Sequence, residues 1–283
     1  MTADLPAVIV PVHNAFAELQ ACLASLRRHV APQAHVVLID DASDDARIRP
    51  LLQAQVRAAG RGWRLETQPL NRGFVATANH GMRLTDGDVV LLNSDTIVTP
   101  GWLEGLQRCL ASDTAIATAT PWTNNGEIAS LPVFCRANPL PADIDAVARA
   151  IAAAGQPSYP ELPTAVGFCM AISRRAITAL GLFDEALFGR GYGEENDFSL
   201  RARQAGMKNV LCDDVYVAHV GGCSFAPLGL KPGPDAMARL LSRHPDYLSC
   251  IESFIRHDPL RALRESVLRA LPALCRDATA GPG

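Results

Sequence analysis

No two of the eight cysteines stand in CxxC spacing. They are scattered at Cys22, Cys109, Cys135, Cys169, Cys212, Cys223, Cys250 and Cys275. Several sit inside apolar runs, as Cys169 does in Gly167-Phe168-Cys169-Met170-Ala171. That pattern implies reduced, buried thiols in a cytosolic protein and argues against a disulfide framework. No apolar run approaches the roughly 20 residues needed to span a bilayer. The opening stretch, residues 1–6, is short and carries Asp4, which is not the shape of a secretory signal. There is no excess of basic charge: the formal net charge of −3 argues against wholesale nucleic-acid binding, which needs a basic face. No internal repeat is present. The expected compartment is the cytoplasm.

What remains is an ordinary globular chain. Its 283 residues suit one large domain, or one domain with an appendage, and can bury a substantial core. Apolar runs and amphipathic stretches alternate through the first half. Residues 7–12 are an apolar run ending at Pro11-Val12-His13-Asn14, and 17–29 have helical spacing with Leu19, Cys22, Leu23 and Leu26 on one face. Strands are expected at 36–39, 64–67, 88–92 and 116–120. Helices are expected after 48, at 75–84 and at 101–110, the last capped by Thr99 with Pro100 at its first position. This order predicts a mostly parallel, doubly wound sheet. Polar clusters after strands one, two and four then fall on one edge, so Asn14, Asp41 and Asp95 could converge. The second half is less regular: a turn-rich stretch at 121–138, a helix at 142–154, an apolar run at 166–172, a helix at 194–204, a strand region at 210–220 and two or three helices beyond 234.

Several clusters carry chemistry. The run Leu91-Leu92-Asn93-Ser94-Asp95-Thr96 delivers one carboxylate at the end of an apolar strand, where open α/β sheets place ligand chemistry. Asp95 fits a metal ligand as well as an ordinary strand-end turn, because hard cations take one or two carboxylates and let phosphates complete the shell. Asp40-Asp41 also closes a strand; Ser43 or Asp44 would cap the next helix, which leaves Asp41 to meet a ligand. The loop Gly189-Arg190-Gly191-Tyr192-Gly193 leads into Glu194-Glu195-Asn196-Asp197. Helix-dipole pairing accounts for one or two of those acids but not for glycines and acids together. A carboxylate there can act as a general base. His219 is a second metal-ligand candidate beside its reading as a structural hydrogen-bonder. Arg72 could approach a phosphate or be a solvated turn residue; Trp122, Asn124 and Asn125 could meet a sugar or form a loop around a buried tryptophan; and Tyr192 could meet a sugar or acceptor.

Seven segments in order resemble an inverting family 2 glycosyltransferase of the GT-A fold. They are Ile9-Val10-Pro11-Val12-His13-Asn14, Ile39-Asp40-Asp41-Ala42-Ser43, Asn71-Arg72-Gly73-Phe74, Leu91-Leu92-Asn93-Ser94-Asp95-Thr96, Phe183-Asp184-Glu185, Gly193-Glu194-Glu195-Asn196-Asp197 with Phe198-Ser199-Leu200-Arg201, and His219-Val220-Gly221-Gly222-Cys223-Ser224-Phe225. The resemblance implies a Rossmann-like catalytic domain over 1–226, with a nucleotide-binding half at 1–121 and an acceptor-binding half at 122–226, followed by a helical extension at 227–283. It implies a nucleoside-diphosphate-sugar donor, a divalent metal (Mn2+ or Mg2+), and transfer of a hexosyl or deoxyhexosyl unit. The acceptor would be a hydroxyl on a saccharide or lipid-linked saccharide in surface-polysaccharide synthesis. Carried over by position, Pro11, His13, Asn14, Asp41, Arg72, Asn93, Ser94 and Asp95 line the donor site, and Asp95 with His219 hold the metal. Asn93 stands where the family usually has an acid. Glu195 takes the base position, one methylene longer than the usual aspartate, with Glu194 as its fallback. Asp197 is expected to orient Arg201 or the loop.

A sugar nucleotidyltransferase is the nearest rival, although Pro11-Val12-His13-Asn14-Ala15 is not its glycine-rich phosphate loop. A non-catalytic sugar-nucleotide-binding subunit is the second. The C-terminal helices, with Arg256, Arg261, Arg264 and Arg269, either pack on the catalytic domain or rest on a membrane surface or partner domain.

Overall fold

The computed structural model describes residues 4–221 and 234–271. In chain order the elements are β1 Ala7–Val12, α1 Phe16–His29, β2 Val36–Asp40, α2 Ile48–Ala59, β3 Trp63–Thr67, α3 Phe74–Arg83, β4 Val89–Leu92, β5 Thr96–Ile97, α4 Trp102–Ser112 and β6 Ile116–Trp122. There follow α5 Ile144–Ala152, β7 Glu161–Leu162, β8 Cys169–Ile172, α6 Arg174–Leu180, α7 Glu185–Phe188, α8 Glu194–Gln204, β9 Lys208–Tyr216, β10 Ala218–His219, α9 Pro234–Arg243, α10 Tyr247–His257 and α11 Arg261–Ala270.

Eight strands form one sheet in the order β3-β2-β1-β4-β8-β6-β9-β7. β1 pairs in parallel with β2 and β4, and β2 with β3. β8 runs antiparallel between β4 and β6, and β7 runs antiparallel to β9. The sheet is therefore mostly parallel, as expected. The reversed β8 was not legible, because a fully buried apolar run reads the same in either direction.

Alternate strand residues feed opposite cores, as the two-residue strand period requires. Val8, Val10, Val12 and Leu38 pack with α1, α2 and α4. Ile9, Val37, Ile39 and Leu91 pack with α3, α6 and α8. A third cluster gathers Trp122, Leu211 and Tyr216 under α5. The C-terminal helices bury part of their apolar surface in these same clusters, Leu240 and Tyr247 in the second and Leu260, Val267 and Leu271 in the third, while Leu248 and Ile255 of α10 are exposed. Arg264, one of the arginines considered for a membrane face, is instead buried against Asp258 and lies over the Phe134 ring. The expected boundary at 226/227 lies outside the described residues. Among the described residues no helix is long and apolar enough to cross a membrane.

Two expected caps differ. α4 begins at Trp102 behind a left-handed Gly101, so Pro100 stays outside the helix. The Thr99 hydroxyl donates to the Tyr216 carbonyl at 2.5 Å and does not cap α4. α2 begins after Arg47, with no capping bond from Ser43 or Asp44. In both places a tertiary partner took a group that local sequence assigned to a helix end. The thiols of Cys22, Cys109, Cys169 and Cys212 are free and buried, whereas Cys135 is exposed. Cys223 and Cys275 lie outside the described residues.

Gly81 lies on the α3 face that packs on β1, and a Cβ there would overlap the Ile9 side chain. Gly→Ala in a helix normally stabilises by about 1 kcal/mol. Here the sign should reverse: G81A should lower stability by about 1–3 kcal/mol through overpacking, read as a lower urea midpoint at unchanged m-value.

Candidate functional site

The carboxyl ends of β1, β2 and β4 face one edge, and the loops there are tied to one another. Asp41 is buried, and its two oxygens accept the Arg72 and Gly73 amides at 2.7 and 2.8 Å. Gly73 has φ +84°, and a Cβ there would approach the Arg190 Cα to 2.7 Å, so a side chain would push the 189–193 loop away. The His13 ring donates from Nδ1 to the Asp41 carbonyl at 3.0 Å and accepts at Nε2 from the Asn71 amide at 3.0 Å. Asn14 accepts the Asp44 and Asp45 amides on its side-chain oxygen, and its own N–H donates to the Ser43 hydroxyl. Pro11 lies half-buried in β1, opposite Ile39. Arg72 points outward, 3.7 Å from the Glu185 carboxylate.

Asp95 and His219 meet although 124 residues separate them. β5 and β10 pair antiparallel, with Thr96 opposite His219, and the Val220 amide donates to the Asp95 carbonyl at 3.0 Å. His219 Nε2 then lies 3.4 Å from Asp95 Oδ1. Its Nδ1–H donates to the Asn125 carbonyl at 2.6 Å, which leaves the Nε2 lone pair facing the carboxylate. Asn124 grips the same residue by its backbone, accepting from the His219 N–H at 2.9 Å and donating to its carbonyl at 3.0 Å. Gly221 passes so close to the Asn125 side chain, at φ +82°, that a Cβ would collide with it. A histidine whose second nitrogen is fixed by a carbonyl is the usual arrangement of a metal-ligating imidazole. Two acceptors facing each other at this spacing call for a positive charge between them, and a divalent cation fits that donor set. Among the described residues no group of three or more His, Cys, Asp or Glu side chains is set to hold a metal.

Beside this pair is a cleft of about 420 Å³, lined by Phe74, Asn93, Gly167, Phe168, Tyr192, Glu194 and Glu195. Phe168 connects the two, since its ring stacks on His219 with centroids 5.2 Å apart. Glu194 and Glu195 open α8 behind Gly193, whose φ is +100°. Glu194 is buried, and its Oε2 has no hydrogen-bond partner. Burial, and then the neighbouring Glu195, push its carboxyl well above the usual range. Glu195 is half-buried, and burial followed by the charge of Glu127 pushes it up to about 7. Its Oε1 accepts the Asn196 amide at 3.0 Å. Such a carboxyl exchanges a proton near neutral pH, which a general base requires.

Residues 7–181 match the family model described as Glycosyl transferase family 2, well over half of the chain. The chain belongs to glycosyl transferase family 2. Solved structures with the same fold include GalNAc-T7 with UDP, GalNAc and Mn2+, at TM-score 0.63 and 16% identity, covering 84% of this chain and 48% of that one. This chain thus spans about half the length of that protein. The mannosyltransferase PcManGT from Pyrobaculum calidifontis in complex with GDP-Man and Mn2+ matches at TM-score 0.57 and 16% identity, over 100% of this chain and 77% of that one. S. aureus TarS 1-349 in complex with UDP-GlcNAc matches at 0.59 and 15%, over 94% and 81%. At these identities the likeness speaks for the fold. No curated protein matches the chain.

Within this family 2 fold, two expected contacts need correction. Trp122 is wholly buried in the third core cluster, which removes it from any sugar contact. Asn124 is 2% exposed, with its amide spent on His219 and Asn138, so it is a brace. Ser94 is buried in the turn after β4. Asn93 lines the cleft. Tyr192 lines it too, at φ +74°. Sequence reasoning missed Gly167, Phe168 and Glu127, and it offered Asn125 for a sugar contact where the structure sets it against His219. Each lies in a stretch that reads as a loop or core run, and only its position against His219 or Glu195 marks it.

The raised carboxyl has a consequence for stability. Between pH 4.5, its ordinary value, and about 7, folded Glu195 keeps a proton that the unfolded chain releases. Stability should therefore fall as pH rises through this window, by up to about 3 kcal/mol from this group. E195Q should flatten the decline in a series of urea midpoints against pH.

Proposed function

We propose that the protein transfers a sugar from a nucleoside-diphosphate sugar to an acceptor hydroxyl, with inversion at the anomeric carbon. One observation carries the reading: a cleft with a fixed His–Asp pair at one side and a carboxyl that titrates near neutrality at the other. The three similar structures are complexes with UDP, GDP-Man or UDP-GlcNAc, which supports a nucleotide-linked donor and leaves the base and sugar open. Two of them contain Mn2+. Asp95 and His219 would hold such a cation, and the imidazole favours Mn2+ over the oxygen-seeking Mg2+. When bound, the cation neutralises charge that builds on the departing diphosphate.

The chain's own residues account for the rest. Glu195 accepts the proton of the acceptor hydroxyl as that oxygen attacks the anomeric carbon. Glu194 lies buried beside it, and the charge of Glu195 helps to keep the Glu194 carboxyl protonated. Asn93 offers an uncharged amide to the donor where a second acid would add charge. Asp41 holds the loop at residues 71–73, and each of its oxygens keeps a second lone pair for a nucleobase donor. The acceptor class, a saccharide or lipid-linked saccharide of a surface polysaccharide, is carried by the family resemblance.

A thermal-shift screen of UDP, GDP, UDP-sugars and GDP-sugars, with and without Mn2+, tests the donor. One nucleotide class should stabilise the protein only with metal, by about 2–3 kcal/mol at 100 times its Kd. H219A should raise the Mn2+ needed by at least about tenfold; an unchanged requirement rules His219 out as a ligand. With the donor in hand, E195Q should lose about 10²–10⁴ in kcat while nucleotide binding persists. In the parent, kcat/KM should drop as pH falls below about 7, because protonated Glu195 cannot accept the acceptor's proton.

A further inference from the structure

The first turn of α8 carries Glu194 and Glu195, and Asp197 anchors that turn from below. Asp197 is wholly buried, and its carboxylate takes three donors. Oδ2 accepts Arg201 Nε at 2.8 Å, from the same helix. Oδ1 accepts Arg243 Nη1 at 3.0 Å and His244 Nε2 at 2.9 Å, both from the end of α9. Gln204 on α8 faces the other ring nitrogen of His244 at 3.4 Å.

Arg243 does more than satisfy Asp197. Its Nη2 donates to Asp184 Oδ2 at 2.7 Å, while the other Asp184 oxygen caps α7 through the Leu187 amide. One guanidinium thus joins a carboxylate just before residues 189–193 to a carboxylate just after them. The enclosed loop has Gly189, Gly191, Tyr192 and Gly193 all at positive φ, and it is tied at its middle by Arg190, whose carbonyl accepts the Phe74 amide at 3.1 Å and whose guanidinium donates to Asn71. The distance between its two ends is held by the Arg243 bridge. Arg201 and His244 already satisfy the buried Asp197, so a second cation that also reaches Asp184 exceeds what burial requires. A planar fork suits this task, because its nitrogens donate in fixed, diverging directions. The family match ends at residue 181, so this bridge lies wholly beyond the matched segment.

We propose that Arg243, backed by His244, is a positioning residue for Glu195: its bridge from Asp184 to Asp197 fixes the span of the glycine loop and holds Glu195 at the acceptor. The proposal rests on the reading of Glu195 as the base. It makes the C-terminal helix α9 part of the reaction machinery, although α9 contributes no reacting group.

D184N in the full chain is the cleanest test, since asparagine still caps α7 and leaves Asp197 its three donors. R243K is the companion, because an ammonium keeps the charge but lacks the fork. Hydrogen exchange followed by mass spectrometry reads the loop without any ligand. Both variants should speed exchange over residues 189–197 by about tenfold and leave 75–92 unchanged. With the donor found in the thermal-shift screen, both should lower kcat about tenfold and leave donor KM within about twofold, as expected for a displaced base. Parental exchange and kcat in both variants, beside an E195Q that has lost turnover, overturn the bridge alone. Faster exchange spread evenly over the chain overturns it as well, since that marks a structural pair. An E195Q that turns over like the parent removes the base assignment and this proposal together.

Discussion

The site depends on one short contact, the antiparallel pairing of Thr96–Ile97 with Ala218–His219. It is two residues long on each side, and it closes a loop of more than a hundred residues. Without it, Asp95 is a strand-end acid and His219 a histidine after a strand. With it, the two face each other at 3.4 Å. So short a ladder would not persist alone. Asn124 and Asn125 reinforce it by binding the His219 backbone, its ring nitrogen and the next carbonyl. Phe168 covers the ring from the side of the cleft.

The remaining acids fall into two kinds, set by what the fold offers them. Asp41 and Asp197 are buried and fully engaged, the first by two backbone amides, the second by two guanidinium groups and an imidazole. Their desolvation is offset by donors, and they hold loops in place. Glu194 and Glu195 meet backbone amides at the start of α8, but no guanidinium and no imidazole. An oxygen of Glu194 lacks a partner, and the only side-chain donor given for Glu195 among the described residues is the Asn196 amide. The cost of burial then appears as raised carboxyl pKa values. Carboxylates a few residues apart on one helix thus differ in kind: Asp197 is fully paired, while Glu195 is left to exchange a proton near neutral pH.

Much of this was legible in the residues. The strand–helix alternation, the acids closing β2 and β4, and the helix from Glu194 to Gln204 follow from periodicity and from polar clusters that interrupt apolar runs. For Trp122 and Asn124 the residues left two readings open, because a polar loop next to an aromatic looks alike whether it faces a sugar or packs inward. The fold decided by burying both, and β6 continues through Trp122 where local sequence suggested a turn. The direction of β8 was hidden for a related reason, since apolar content reports burial and not orientation.

The sequence by itself determined which chemistry could occur: a strand-end Asp95, a distant His219, paired glutamates behind a glycine loop, and a chain of α/β class. Those are properties of residue type and spacing, and they survive any packing. Only the tertiary structure decided which of these groups meet. It fixed the His219 tautomer through the Asn125 carbonyl, placed Phe168 between the pair and the cleft, and brought Arg243 from the C-terminal helix to both ends of the glycine loop. These are contacts between segments far apart in the chain. Their partners are chosen by how strands pair and helices pack, and no local pattern encodes that choice.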